Sequence, residues 1–236
     1  MANPGAGNIA AEGGFTKYNN MFCWEPIWFK VEDELFCVPR SGFAEAKDSV
    51  FDNMFSAPTS GVPVEGRDKE HPIGLEDSKK DVICLLKYMY PTITHFVVKT
   101  KTVDIQLKKE EWISVLKLAT KWDMTDIRKT AIQSLSGSLY VLTSTEKLSL
   151  GREFRVRDWV AEGIKALAQD INVRLVQLRV HGWETAAQIL DIRSQSAYQD
   201  SGRYGYNRSA VYIDAETVTQ LTESVFAAEL KEYEQA

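Results

Sequence analysis

Residues 27–38 read Ile27-Trp28-Phe29-Lys30-Val31-Glu32-Asp33-Glu34-Leu35-Phe36-Cys37-Val38, two apolar runs on either side of three acids. Aromatic and β-branched residues suit a pleated, half-buried surface, so the stretch predicts a hairpin with a polar turn. Pro39 ends the second strand, because it has no N–H for a ladder and fixes its own φ. The acids themselves point in different directions at a turn and lack the ligand spacing of an oxygen-donor loop, so they are read as solvated rather than metal-binding.

Working outward, SVFDNMF (49–55) carries Val50, Phe51, Met54 and Phe55 on one stripe of a short helix that packs onto the hairpin, with Asp48 available as N-cap. Residues 56–72 hold three prolines and two glycines and read as a disordered surface loop. Ile73-Gly74-Leu75 is a short strand. Asp77 or Ser78 can cap the helix DVICLLKYMY, which Pro91 stops. Residues 91–107 suit a small edge hairpin. From Lys108 a strong helix places Trp112, Val115, Leu116 and Ala119 on one face, and after a tight corner at Asp123 a second helix carries Ile127, Ala131, Ile132 and Leu135.

Beyond Gly137, STEKLSLGREFRV, RDWVAEGIKALAQ, NVRLVQLRV and WETAAQILDIRS predict short helices separated by polar breaks. Residues 194–209 (SQSAYQDSGRYGYNRS) have no apolar stripe and read as a mobile insert. AETVTQLTESVFAAELKEYE reads as one closing amphipathic helix with Val218, Leu221, Val225 and Leu230 inside.

With 236 residues, 44% hydrophobic and 26% charged, the chain has ample material for a buried core without disulfide staples. The formal charge of −5 argues against a protein whose main task is to neutralise nucleic-acid phosphates. No apolar run suits a membrane span and the first residues do not resemble a signal peptide, so a cytoplasmic or nuclear location is expected. Cys23, Cys37 and Cys84 are widely spaced and read as reduced packing residues.

The order strand, strand, short helix, short strand, helix, helix pair resembles a BTB (POZ) domain. Three blocks carry the resemblance: FKVEDELFCVP with VFDNMFS, IGLED with VICLLKYMYP, and VLKLATKWDMTDIRKTAI. VPR at the hairpin exit, LGREFRVRDWVAEGIKAL and GWETAAQIL are similar to the BTB-domain proteins abundant in mushroom-forming (basidiomycete) fungi. The resemblance implies an α+β fold, a small mixed sheet flanked by helices, followed by an α-helical C-terminal extension. The expected domains are a flexible arm over 1–20, the BTB/POZ domain over 21–143 and the helical extension over 144–236.

By function the resemblance implies a non-catalytic protein-interaction adaptor or scaffold that needs no cofactor. Its candidate partners are cullin-3, for which it would recruit ubiquitylation substrates, and a second copy of the chain. The candidate partner-binding residues are Trp122, which matches the aromatic position presented by cullin-binding members, with Lys121 and Phe96. Two departures qualify this. Glu25-Pro26 stands where the family has an Asp-Val pair, which disfavours strand exchange at that edge, and 91–107 lacks the Glu common in cullin binders.

Signs of other chemistry are sparse. His71, His95 and His181 have no metal-ligand spacing, and the sequence contains no nucleophile-elbow, zincin, P-loop or dinucleotide motif, so catalysis is not expected. Lys99, Lys101, Lys108 and Lys109 with Arg152, Arg155 and Arg157 read as a solvated face that could also steer an acidic partner. The alternative function is a nucleic-acid-associated regulator acting through Arg193, Tyr198, Arg203, Tyr204, Tyr206 and Arg208, because Arg interleaved with aromatics suits base stacking beside phosphates.

Overall fold

Pro26–Val31 (β1) and Glu34–Pro39 (β2) form the antiparallel hairpin that the alternation predicts, with register Pro26↔Pro39 to Val31↔Glu34 and Glu32 in the left-handed region at φ 54°. Ile73–Leu75 (β3) pairs parallel to β1, giving the strand order β2-β1-β3. Ile27, Phe29 and Val31 turn inward while Lys30 faces water, the period of two expected of a strand with one covered face. The acidic turn is exposed but bonded rather than merely solvated. Lys79 donates its backbone N–H to Glu32 Oε1 at 3.0 Å, and its ammonium reaches Glu34 at 2.9 Å and Asp33 at 3.4 Å.

The computed structural model describes residues 24–47, 49–56, 65–91, 96–99, 102–137, 139–199 and 211–234. The architecture is mixed α+β, mostly helical with a small three-stranded sheet. The described residues divide into two compact units, one within residues 1–107 plus Lys121–Asp126, the other comprising Lys108–Thr120 and everything from Ile127 onward. The expected arm over 1–20, the loop positions 57–64 and Asp48 lie outside the described residues.

In the first unit, Ser41–Ala44 (α1) and Val50–Ser56 (α2) bring Phe43 and Phe51 against Phe29, with ring centroids 4.8 to 5.8 Å apart. Tilted and edge-to-face contacts of this kind add to the area the three rings remove from water. Ser49 caps α2, its hydroxyl accepting from the Asp52 N–H at 3.2 Å. Of the expected α2 stripe only Phe51 is buried; Val50 and Met54 face water, because so short a helix turns one narrow edge inward. Lys79–Met89 (α3) starts at Ser78, whose side chain accepts from the Asp81 N–H. At its end Tyr90 donates its hydroxyl to the Pro39 carbonyl at 2.5 Å, and the phenol fits over Gly42, where any Cβ would collide with it. Residues 65–72 are tied down as well: Gly66, at φ 79°, accepts from the Trp28 N–H and donates to the His71 carbonyl. Phe96–Lys99 (β4) and Thr102–Ile105 (β5) pair as the small hairpin read from 91–107.

The second unit is helical. Its elements are Lys109–Lys121 (α4) up to Thr120, Thr125–Ser136 (α5) from Ile127, Ser144–Glu153 (α6), Arg157–Gln169 (α7), Leu175–Leu178 (α8), a 3-10 turn over Arg179–His181, Trp183–Ser196 (α9), Ala215–Val225 (α10) and Ala227–Tyr233 (α11). Trp112, Val115, Leu116 and Ala119 of α4 are all buried, as their spacing predicts. A capping box starts α6: Thr143 accepts from the Glu146 N–H, and Glu146 accepts from the Thr143 N–H. Gly151 and Gly163 let α6 and α7 touch backbone to backbone, since a Cβ on Gly163 would lie 2.8 Å from the Leu148 nitrogen and one on Gly151 2.8 Å from the Val160 nitrogen. Leu148, Val160, Ile164, Leu178, Ile189 and Val218 lie in the core around this contact.

Two expectations change here. The closing segment is two helices, broken at Phe226 with φ −101° and ψ 15°, and its buried stripe is Val218, Thr222, Phe226 and Leu230, so Val225 points outward. The segment read as a mobile insert begins as structure: α9 continues to Ser196, and Ala197–Gln199 (β6) pairs antiparallel with Val211–Ile213 (β7), stacking Tyr198 on Tyr212. Residues 200–210 lie outside the described residues.

Candidate interaction surface

Trp122 follows the last residue of α4, where Asp123 at φ 55° turns the chain. Its ring is only 5% exposed and stands edge-on to Phe51, while its carbonyl accepts from the Val50 N–H at 3.1 Å. Trp122, read from the sequence as a surface for a partner, is thus packed inside the first unit: an indole with an aromatic neighbour available gains more from burial than from water. Lys121 places its ammonium 2.7 Å from Asp77 Oδ1, whose side chain is 7% exposed. It neutralises a carboxylate that would otherwise be buried alone. Phe96 opens β4, opposite Ile105. The corner thus sends neighbouring residues to different partners, Lys121 to Asp77 and Trp122 to α2.

Four of the basic residues read as a steering face are engaged; Lys101 lies outside the described residues. Arg152 grips Glu229 with two bonds of 2.6 and 2.9 Å, Arg155 meets Glu232, Arg157 meets Glu223 at 2.8 Å, and Lys109 meets Glu146 at 2.6 Å. The Lys109 ammonium and the Thr143 N–H together hold the Glu146 carboxyl below its ordinary range. Arg193, expected in the nucleic-acid reading, donates to the carbonyls of Leu167, Ala168 and Val173 at 2.6 to 3.0 Å. Its guanidinium caps the C-terminus of α7, where unpaired carbonyls and the helix dipole favour a cation. Arg203, Tyr204, Tyr206 and Arg208 lie outside the described residues.

His181 is half-buried, and burial plus the nearby Arg152 guanidinium push its pKa down. His71 is exposed on Asp68, and His95 lies outside the described residues. Cys84 is buried as expected of a packing residue, whereas Cys37 is exposed on β2; Cys23 lies outside the described residues. Among the described residues, no group of three or more His, Cys, Asp or Glu is placed to hold a metal ion, and no helix is long and apolar enough to cross a membrane.

Comparison with protein-family models, curated proteins and solved structures finds no match to this chain.

A surface that the sequence reading passed over lies in residues 171–183, INVRLVQLRVHGW. The four-residue α8 and the 3-10 turn after it bury a single large apolar side chain, Leu178, which anchors the segment in the core. Val176, Val180 and Trp183 are 61%, 70% and 64% exposed, and Ile171 and Leu175 also face water. Gly182, at φ 96°, bends the chain between Val180 and Trp183. Isolated exposed apolar residues are ordinary on a protein surface; here five fall within one short stretch, one of them tryptophan. The signal in the sequence was excess: six large apolar residues, Val173 aside, in a segment with helix enough to bury one.

Proposed function

We propose that this chain is a non-catalytic protein-interaction module of the BTB (POZ) type, an adaptor or scaffold of the cytoplasm or nucleus. The observation that carries the reading is the order in which elements assemble on the hairpin. β1 and β2 pair antiparallel, Phe51 of α2 meets Phe29, β3 joins β1 in parallel, and α3 follows. That is the order the three sequence blocks imply for the family. The exposed apolar stretch at 171–183 further supports a binding role over a catalytic one.

Recruitment of substrates to a cullin-3 ubiquitin ligase is the specific form of this proposal. It rests on the resemblance, and any cullin contact would have to use side chains other than the buried indole of Trp122. Size-exclusion chromatography with light scattering, on the protein alone and with excess cullin-3 N-terminal region, tests both parts. A co-eluting complex supports the ligase adaptor, and a dimer without a complex supports a self-assembling scaffold. A monomer at every concentration that captures no cullin-3 overturns both the ligase-adaptor and the self-assembling forms of the proposal.

A further inference from the structure

The described arginines of the helical unit divide into two groups. Arg128 donates to the Phe154 carbonyl, Arg193 caps α7, and Arg152, Arg155 and Arg157 each face a glutamate. Arg174 and Arg179 differ: both are exposed, and neither is paired with a carboxylate among the described residues. These two flank α8, in the same stretch that exposes Ile171, Leu175, Val176, Val180 and Trp183. No Asp or Glu occurs between Ile171 and Trp183.

We propose that residues 171–183 form a docking site for an acidic amphipathic segment of a partner protein, its apolar side chains covering Val176, Val180 and Trp183 and its Asp or Glu residues meeting Arg174 and Arg179. Charge decides among the occupants. A second copy of the same patch would set arginine against arginine, which opposes a symmetric pairing. An anionic bilayer is disfavoured because the chain carries a formal charge of −5 and the four-residue α8 is far too short to lie along a lipid interface as an amphipathic helix. An acidic peptide satisfies both the apolar surface and the two guanidinium groups, which pair with no carboxylate among the described residues, with a fork geometry suited to carboxylates. This inference deepens the interaction-module reading but does not use the BTB resemblance, and it fails separately from it.

The test is selection of random peptides of about four helical turns, displayed on phage, against the immobilised full-length protein. Counter-selection uses the Val176→Asp, Trp183→Ser double variant. The expected result is enrichment of peptides that combine large apolar residues with Asp and Glu. A synthetic copy of one should bind, by fluorescence anisotropy, about tenfold or more weakly to an Arg174→Glu, Arg179→Glu variant, because truncating or reversing anchor contacts has effects of that size. The charge variant alters only exposed side chains, so it decides the matter even if the apolar variant misfolds. No enrichment over the counter-selected variant, enriched peptides without an acidic bias, or equal affinity for the charge variant overturns the proposal. So does an oligomer that the Val176→Asp change dissolves, or retention on phosphatidylserine vesicles without peptide binding. Cullin-3 capture and mass of the Trp183→Ser protein should match the unaltered chain, so that measurement reports on the BTB reading alone.

Discussion

The indole of Trp122 meets the ring of Phe51 edge to face, 5.1 Å between centroids and 89° between planes. Phe51 in turn touches Phe29 and Phe43, so the residue after α4 completes an aromatic cluster seated on the hairpin. Trp122→Ala is expected to lower the unfolding free energy by about 3 to 5 kcal/mol, as large-to-small changes in packed cores do. Urea denaturation measures it. A loss well under 1 kcal/mol, with unchanged fold, would show instead that the ring is free for a partner.

Arg193→Ala should destabilise the helical unit by about 2 to 4 kcal/mol, because three carbonyls at and beyond the end of α7 lose a charged donor. Arg193→Lys should recover only part of this, since an ammonium cannot reproduce the planar fork. Thermal unfolding of both variants checks the ranking. If Arg193 served RNA instead, stability would hold and retention on single-stranded RNA would fall.

Alanine for glycine inside an exposed helix usually stabilises by about 1 kcal/mol. At Gly163 and Gly151 the sign should reverse, to a loss of about 1 to 3 kcal/mol, because the added methyl meets backbone atoms of the facing helix rather than flexible side-chain ends. Chemical denaturation of Gly163→Ala and Gly151→Ala decides between the two signs.

Burial, with the Glu45 charge nearby, pushes the Tyr90 phenol up to about 12. The neutral form is the one favoured in the fold. Its contribution is therefore fully present below the ordinary tyrosine value and is lost as pH rises through about 12. Ultraviolet titration should show a late-ionising phenol in the unaltered protein that is missing from Tyr90→Phe. That variant also forfeits the bond to the Pro39 carbonyl, at a cost of about 1 kcal/mol at neutral pH.

Much of this architecture was legible where a strong period met clear punctuation. The hairpin at 27–38, the strand at Ile73 and the helix over 157–169 emerge with the bounds their residues suggest, because alternation, prolines and polar breaks act locally. Faces were harder to read than elements. Val225 fits a 3.6-residue stripe on paper, yet α10 already buries Val218 and Thr222 four apart, and Phe226 and Leu230 continue that line past the break, leaving Val225 outside. Arg193 could be grouped with neighbouring tyrosines in the sequence, but its partners sit 20 to 26 positions earlier, and no local pattern announces such a bond. The apolar stretch at 171–183 was hard to read for a related reason: a buried short helix and an exposed one share a composition and differ only in what covers them.

The bond that the Lys79 N–H donates to Glu32 has a kinetic consequence. These residues stand 47 positions apart, and the parallel pairing of β1 with β3 spans a similar length of chain. Forming them requires a long loop to close before its ends are rewarded, whereas the neighbouring helices α6 and α7 meet across a short turn. The helical segment can therefore gain its contacts early, and the hairpin unit must wait for its own distant strand. Until Lys79 arrives, Glu32, Asp33 and Glu34 are three like charges crowded at one bend, so the local hairpin gains its charge compensation only when the distant strand and helix close on it.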